Sequence, residues 1–199
     1  MKIIGVDEVG RGPLAGPVTV CAVSCDEKIY KSLFKNKNLP ALGKDSKKLK
    51  EKDRKIFDKY LRQLSKEGKI EFKVVHISNR IIDEKGISFS IKKAISDCIK
   101  SLKIEKESKF LLDGGLKVPI EFKNQKTIIK GDEKERIIAW ASILAKVSRD
   151  NLMVKASKKF PEYSFGLHKG YGTQKHREAI KKYGTSDFHR KSFCKKINI

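Results

Sequence analysis

The stretch Met1-Lys2-Ile3-Ile4-Gly5-Val6-Asp7-Glu8-Val9-Gly10-Arg11-Gly12-Pro13-Leu14-Ala15-Gly16-Pro17-Val18 decides the fold. Residues 2–9 are apolar until they meet two adjacent carboxylates, and a Gly-Arg-Gly turn follows, which reads as a strand running into a functional rim. Residues 17–24 read as a second strand. The short Gly/Pro link predicts that the two strands pair antiparallel. Anionic side chains at the end of a core strand, in a chain of formal net charge +22, have a simple physical reason: a bound cation.

Working outward, residues 71–77, 109–113 and 126–130 read as three further strands. Residues 47–67 carry Leu49, Phe57, Leu61 and Leu64 among charges and predict an amphipathic helix stopped by Gly68. Residues 88–102 repeat Phe89, Ile91, Ala94, Ile95, Cys98, Ile99 and Leu102 at helical spacing. Residues 133–159 form the longest helical pattern, ending near Pro161, and a last helix covers 174–183. Residues 26–45 read as polar and irregular. The class is α/β: a mixed five-stranded sheet flanked by helices. No repeat or long linker divides the chain, so 1–199 reads as one domain, with a basic helical segment at its C-terminal end.

The 199 residues, 39% of them hydrophobic, suffice for one core. Lys and Arg number 46 against 24 Asp and Glu. That bias points to a nucleic acid, whose phosphates such side chains neutralise; the bland alternative is lysine used as a solubiliser. Cys21, Cys25, Cys98 and Cys194 show no CxxC and no zinc spacing, so they read as thiols in a reducing compartment. No signal peptide and no apolar run of about 18 residues is visible. A cytoplasmic protein with no membrane association is expected.

Asp7 and Glu8 on a regular strand point to opposite faces, so they share one site only if the strand bends or bulges there, or if one contributes differently. Asp113 repeats the arrangement of strand, carboxylate and glycine pair, which suggests a common rim. In the long helix Ile143, Val147, Asp150 and Val154 share one face, predicted to turn inward. Turn aspartates and a salt bridge to some distant lysine are the plain alternatives. If all four converge, a charge of about −4 cannot stay ionised unaided. Oxygen donors without a Cys or His cluster suit Mg²⁺ or Mn²⁺, and two such ions about 3.5–4 Å apart suit in-line attack on a phosphodiester. Gly10-Arg11-Gly12 can offer backbone N–H groups to sugar or phosphate oxygens. In His168-Lys169-Gly170-Tyr171-Gly172-Thr173 the ring can stack on a sugar or base, or merely cover the core edge. Asp45-Ser46-Lys47-Lys48-Leu49 reads as a helix start whose lysines can meet phosphate. His76, His176 and His189 lack ligand spacing.

Residues 5–18, Asp45-Ser46-Lys47-Lys48-Leu49, Leu112-Asp113-Gly114, Lys130-Gly131-Asp132, residues 141–150, His168-Lys169-Gly170-Tyr171-Gly172-Thr173 and His189-Arg190-Lys191-Ser192-Phe193 together resemble the type 2 ribonucleases H, bacterial ribonuclease HII in particular. The blocks run in the family's order over nearly the whole chain. The resemblance implies a ribonuclease H-like fold with a C-terminal helical extension from about residue 160. It implies a monomer that cleaves RNA in RNA–DNA hybrids and cuts 5′ of single ribonucleotides in duplex DNA, leaving 3′-OH and 5′-phosphate ends. By motif position Asp7, Glu8, Asp113 and Asp150 are the catalytic metal ligands. Gly10, Arg11, Gly12 and Tyr171 read the 2′-hydroxyl, and Lys47, Lys146 and Lys169 contact the substrate backbone. Val9 and Trp140 depart from the family's usual small residues, and Trp140 is expected to change packing around the helix that carries Asp150. A non-catalytic nucleic-acid binder and a DNA-cutting nuclease of the same fold are the competing readings. Four acidic residues in a basic chain disfavour the first, and Gly-Arg-Gly with Tyr171 disfavours the second.

Overall fold

Strand β1 (Lys2–Val9) is the centre of a five-stranded sheet, and every other element is placed by reference to it. A computed structural model describes residues 1–35, 49–195 and 197; Lys47, with Asp45 and Ser46, lies outside the described residues. Strand β2 (Val18–Asp26) pairs antiparallel with β1, and β3 (Glu71–Ile77) pairs antiparallel with β2. Strands β4 (Lys109–Asp113) and β5 (Gln125–Ile128) add on in parallel. The order is β3-β2-β1-β4-β5, a mixed sheet as the pattern predicts. The last strand is shorter than its apolar run, and Ile129 is exposed.

The alternation along β1 sorts the two faces. On one, Ile3 with Cys21, Val23 and Leu111 packs against α6 (Arg136–Lys159) and α2 (Glu51–Lys66). A Cβ on Gly5 would stand 2.3 Å from the Ile137 carbonyl oxygen, so glycine is what lets α6 lie so close to the strand. On the other face, Ile4 and Val6 with Val20, Ala22, Phe110 and Leu112 pack against α4 (Ile87–Ser101). Each such buried Ile, Leu or Val contributes about 1.5–3 kcal/mol over its exposed state. Helix α6 has no glycine or proline, and its first three turns are buried almost all round, which marks a helix covered on both sides. Phe160-Pro161 ends it.

Several readings need correction. Residues 26–45 are not all irregular: α1 (Glu27–Lys35) starts on Asp26, whose Oδ1 accepts from the Lys28 N–H at 2.8 Å, and it buries Tyr30 and Leu33. Asp26 as N-cap with apolar residues three apart was the available signal. A short α3 (Asn79–Lys85) precedes α4. The long pattern from 133 divides into α5 (Gly131–Lys134) and α6, because Glu135 is extended at φ −124°. Phe89 and Val154 are exposed at 47% and 42%, so the face of α6 that runs through Asp150 turns to solvent by Val154.

Trp140 does pack inward. Tyr30 meets it edge-on at 5.7 Å, and its Nε1 has no hydrogen-bond partner, a cost of about 1–3 kcal/mol. Beyond α6 come α7 (Phe165–His168), α8 (Gln174–Tyr183) and α9 (Lys191–Cys194), around a cluster of Ala15, Met153, Tyr163, Phe165, Ile180 and Cys194. All four cysteines are buried and unpaired. No helix among the described residues is long and apolar enough to cross a membrane.

Candidate active site

Parallel pairing of β1 with β4 aligns Val6 with Leu112, so the next residues, Asp7 and Asp113, leave the sheet side by side. They open into a cleft of about 320 Å³ that Glu8, Arg54, Ser142, Lys146 and Tyr171 also line. Of the alternatives, the bulge does not occur: β1 stays in register with β2 through Glu8↔Val20 and Val9↔Thr19. Both neighbours reach the cleft because it wraps the end of the strand, where opposite faces are equally accessible.

Asp7 is 4% exposed. Its Oδ1 accepts from the Glu8 N–H at 2.8 Å, and the Ser142 hydroxyl of α6 also bonds the carboxylate. Burial pushes its pKa well up, and the charges of Glu8 and Asp113 push the same way. Burial also raises Glu8; Arg11, whose Nη1 lies 3.4 Å from Glu8 Oε1, opposes it, and Asp113 reinforces it. Asp113 Oδ1 accepts from the Gly131 N–H at 2.6 Å. Asp150, 8% exposed, faces the Lys146 ammonium at 2.8 Å, one turn back along α6. The structure thus gathers Asp7, Glu8 and Asp113 on one cleft and leaves Asp150 behind Lys146.

Among the described residues, no three Asp, Glu, Cys or His side chains are already drawn around a single ion position. The donor set nevertheless fits a hard divalent cation. It is all carboxylate, it sits at the ends of two neighbouring strands on a cleft, and Glu8 and Asp113 raise the pKa of Asp7 while Asp113 raises that of Glu8, so a cation there would relieve the repulsion.

Gly10, Arg11 and Gly12 form the turn after β1; Gly10 is buried at φ +85°, and the other two are exposed. Tyr171 is 42% exposed on the cleft wall, with the Arg149 guanidinium 6.0 Å from its ring centre. Lys146 lines the cleft. Lys169 does not: its Nζ turns back onto the Gly166 carbonyl. Arg54 is unmarked in the sequence, and Ser142, Arg149 and Arg190 stand there only as members of the resembling blocks, with no role assigned. Ser142 is one more small residue in a helix, and the two last arginines are wholly buried, which arginine seldom is.

Residues 4–196 match the family model for ribonuclease HII. Ribonuclease HII of Clostridium beijerinckii is 46% identical over 195 residues, covering 98% of this chain and 68% of that protein. The crystal structure of ribonuclease H2 from Pyrococcus horikoshii OT3 superposes with a TM-score of 0.74 at 28% identity, over 99% of this chain and 97% of that one. Bst-RNase HIII, solved in complex with Mn²⁺, shares the fold with a TM-score of 0.68 at 18% identity, over 97% of this chain and 64% of that one. The sheet order, the family match and these identities together establish that the chain belongs to the ribonuclease HII family, a family of metal-dependent endoribonucleases.

Proposed function

We propose that this ribonuclease, which as a family member hydrolyses RNA in RNA–DNA hybrids, also incises duplex DNA 5′ of a single embedded ribonucleotide and leaves 3′-OH and 5′-phosphate ends. Asp7, Glu8, Asp113 and Asp150 hold two divalent cations, Mg²⁺ or Mn²⁺, and the chain acts as a cytoplasmic monomer. Residues 1–199 form one catalytic domain, with the helices from about residue 160 as its extension. The observation that carries the reading is the convergence of Asp7, Glu8 and Asp113 on a cleft whose wall is Tyr171.

When bound, the cations would lower the pKa of water and offset charge on the departing 3′ oxygen. The chain's own groups do the remaining work. Ser142 and the Glu8 N–H fix the Asp7 carboxylate. The Gly131 N–H fixes one oxygen of Asp113 and leaves the other to face the cleft. Lys146 offsets phosphate charge, and when it swings to the substrate it releases Asp150. Tyr171 packs on the sugar, and the Gly10-Arg11-Gly12 turn meets the 2′-hydroxyl.

The test compares a DNA duplex with the same duplex carrying one ribonucleotide, with and without chelator. Cutting of the second alone, abolished by chelator and by Asp7→Asn, is expected. Equal cutting of both duplexes, or full activity of the Asp7→Asn protein, would remove the reading.

A further inference from the structure

Arg149 and Arg190 have no exposed surface, yet all three nitrogens of each donate to main-chain carbonyls and none to a carboxylate. Arg190 reaches Gly16 O from Nε at 2.9 Å, Arg11 O from Nη1 at 3.0 Å and Gly10 O from Nη2 at 2.6 Å. Arg149 reaches Pro17 O, Ala15 O and Lys169 O. The two guanidiniums therefore grip the loop between β1 and β2 along most of its length. Burial draws the Arg190 pKa down to about 9, and the charge of Arg149 adds to that. Two like charges buried together are costly. Neutral donors would close the loop at less cost, so closure alone does not account for the pair.

A trans peptide holds its C=O and the following N–H on opposite sides. Drawing the Gly10 and Arg11 carbonyls inward therefore turns the N–H groups of Arg11 and Gly12 outward. Both residues are exposed, and among the described residues neither amide has an acceptor. Successive outward amides of this kind form an acceptor-binding concavity, here backed by a positive charge. Gly10 is required for the arrangement, because a Cβ there would lie 2.2 Å from Arg149 Nε.

We infer that Arg190 is a positioning residue for sugar discrimination: it aims the Arg11 and Gly12 amides at the 2′-hydroxyl oxygen of the substrate ribose without touching the substrate itself. The inference rests on the functional reading above and adds to it the group that sets the turn.

The experiment measures affinity in chelator, where nothing is cut, for the all-DNA duplex and for its single-ribonucleotide counterpart, with wild type and Arg190→Lys. Lysine keeps the charge, but its donors sit on one nitrogen, which cannot stand where Nε, Nη1 and Nη2 each meet a separate carbonyl. Two amide bonds predict that wild type prefers the ribonucleotide duplex by about tenfold. In Arg190→Lys that ratio falls to about one. A ratio kept at the wild-type value, with both affinities reduced alike, shows general loosening and overturns the inference while the functional reading stands. A wild type that binds both duplexes equally overturns the reading and the inference with it. Should Arg190→Lys fail to fold, amide spectra of ¹⁵N-labelled wild type decide: Arg11 and Gly12 signals that move with the ribonucleotide duplex alone support the inference, and signals that stay in place overturn it.

Discussion

Asp113 Oδ1 accepts a 2.6 Å hydrogen bond from the Gly131 N–H, eighteen residues further along the chain. The Lys130-Gly131-Asp132 turn thereby becomes a bracket for a β4 carboxylate. A Cβ at Gly131 would lie 2.6 Å from Ile138 Cδ1 and 3.3 Å from Asp113 Oδ1. Gly131→Ala should lower the turnover number by about tenfold to a hundredfold, since a small misplacement of a reacting group costs that much. Overpacking should cost about 1–3 kcal/mol of stability. Adding Ile138→Val should recover part of both losses. Kinetics and denaturant melts of the three proteins check this.

Asp7→Asn should abolish cleavage and yet make the metal-free protein melt a few degrees higher at neutral pH. The folded-state pKa of Asp7 is raised, so the folded protein holds that proton more tightly than the unfolded chain. Ionised Asp7 therefore destabilises the fold, with the penalty absent below the unfolded value near 3.9 and growing until the folded pKa is passed. Melts in chelator should show the variant's advantage widening as pH rises above about 4. A gap that does not change with pH would contradict the burial argument.

His176 and His189 set a further pH dependence. The Ser186 N–H donates to His189 Nδ1 at 2.9 Å, so the ring proton is on Nε2 and points to His176 Nε2 at 3.0 Å. His176 then holds its own proton on Nδ1, donated to Tyr171 O at 2.9 Å. Both rings must be neutral for this chain to exist. Burial lowers each to about 4 from an ordinary 6.5. A lowered histidine pKa means that the unfolded chain takes up protons first. Its stabilising share is whole above pH 6.5 and drains away as pH falls towards 4. Unfolding midpoints should therefore drop steeply across that window, and His176→Gln should flatten the curve. Equal slopes in the two proteins would refute the assignment.

Lys146→Ala removes a cation from the cleft wall. The logarithm of substrate affinity plotted against the logarithm of salt concentration should lose about one unit of slope, the signature of one phosphate contact. Titrations from 50 to 300 mM KCl, about the usual working range, measure it. An unchanged slope would confine Lys146 to its bond with Asp150.

Sheet and site were legible to different depths. The interior strands β1, β2 and β4 follow from apolar runs closed by glycine or charge, because burial enforces that pattern wherever a strand is central, while the half-exposed edge strands β3 and β5 carry a weaker pattern. The adjacency of Asp7 and Asp113 was readable as two matching strand ends. Which of the open alternatives lets Asp7 and Glu8 share the cleft was not, since the shape of the cleft around a strand end is set by packing of α6, far off in sequence. Val154 was misread because a helical face can leave the core midway when the layer beneath it ends. The roles of Arg149 and Arg190 were invisible for a related reason: their partners are carbonyls, which every residue carries, and no side-chain pattern records which ones a guanidinium will meet.

The turn that follows β1 is fastened almost entirely by residues 149–190, far along the chain. The Leu14 N–H donates to Gly170 O, the Gly16 N–H to Phe188 O, the Arg190 N–H to Leu14 O, and the Arg190 side chain holds Gly10 and Arg11. A ribosome delivers Asp7 and Glu8 well before Arg190. A nascent chain therefore carries its acidic residues long before their scaffold, and the nuclease is armed only once Arg190 has been added.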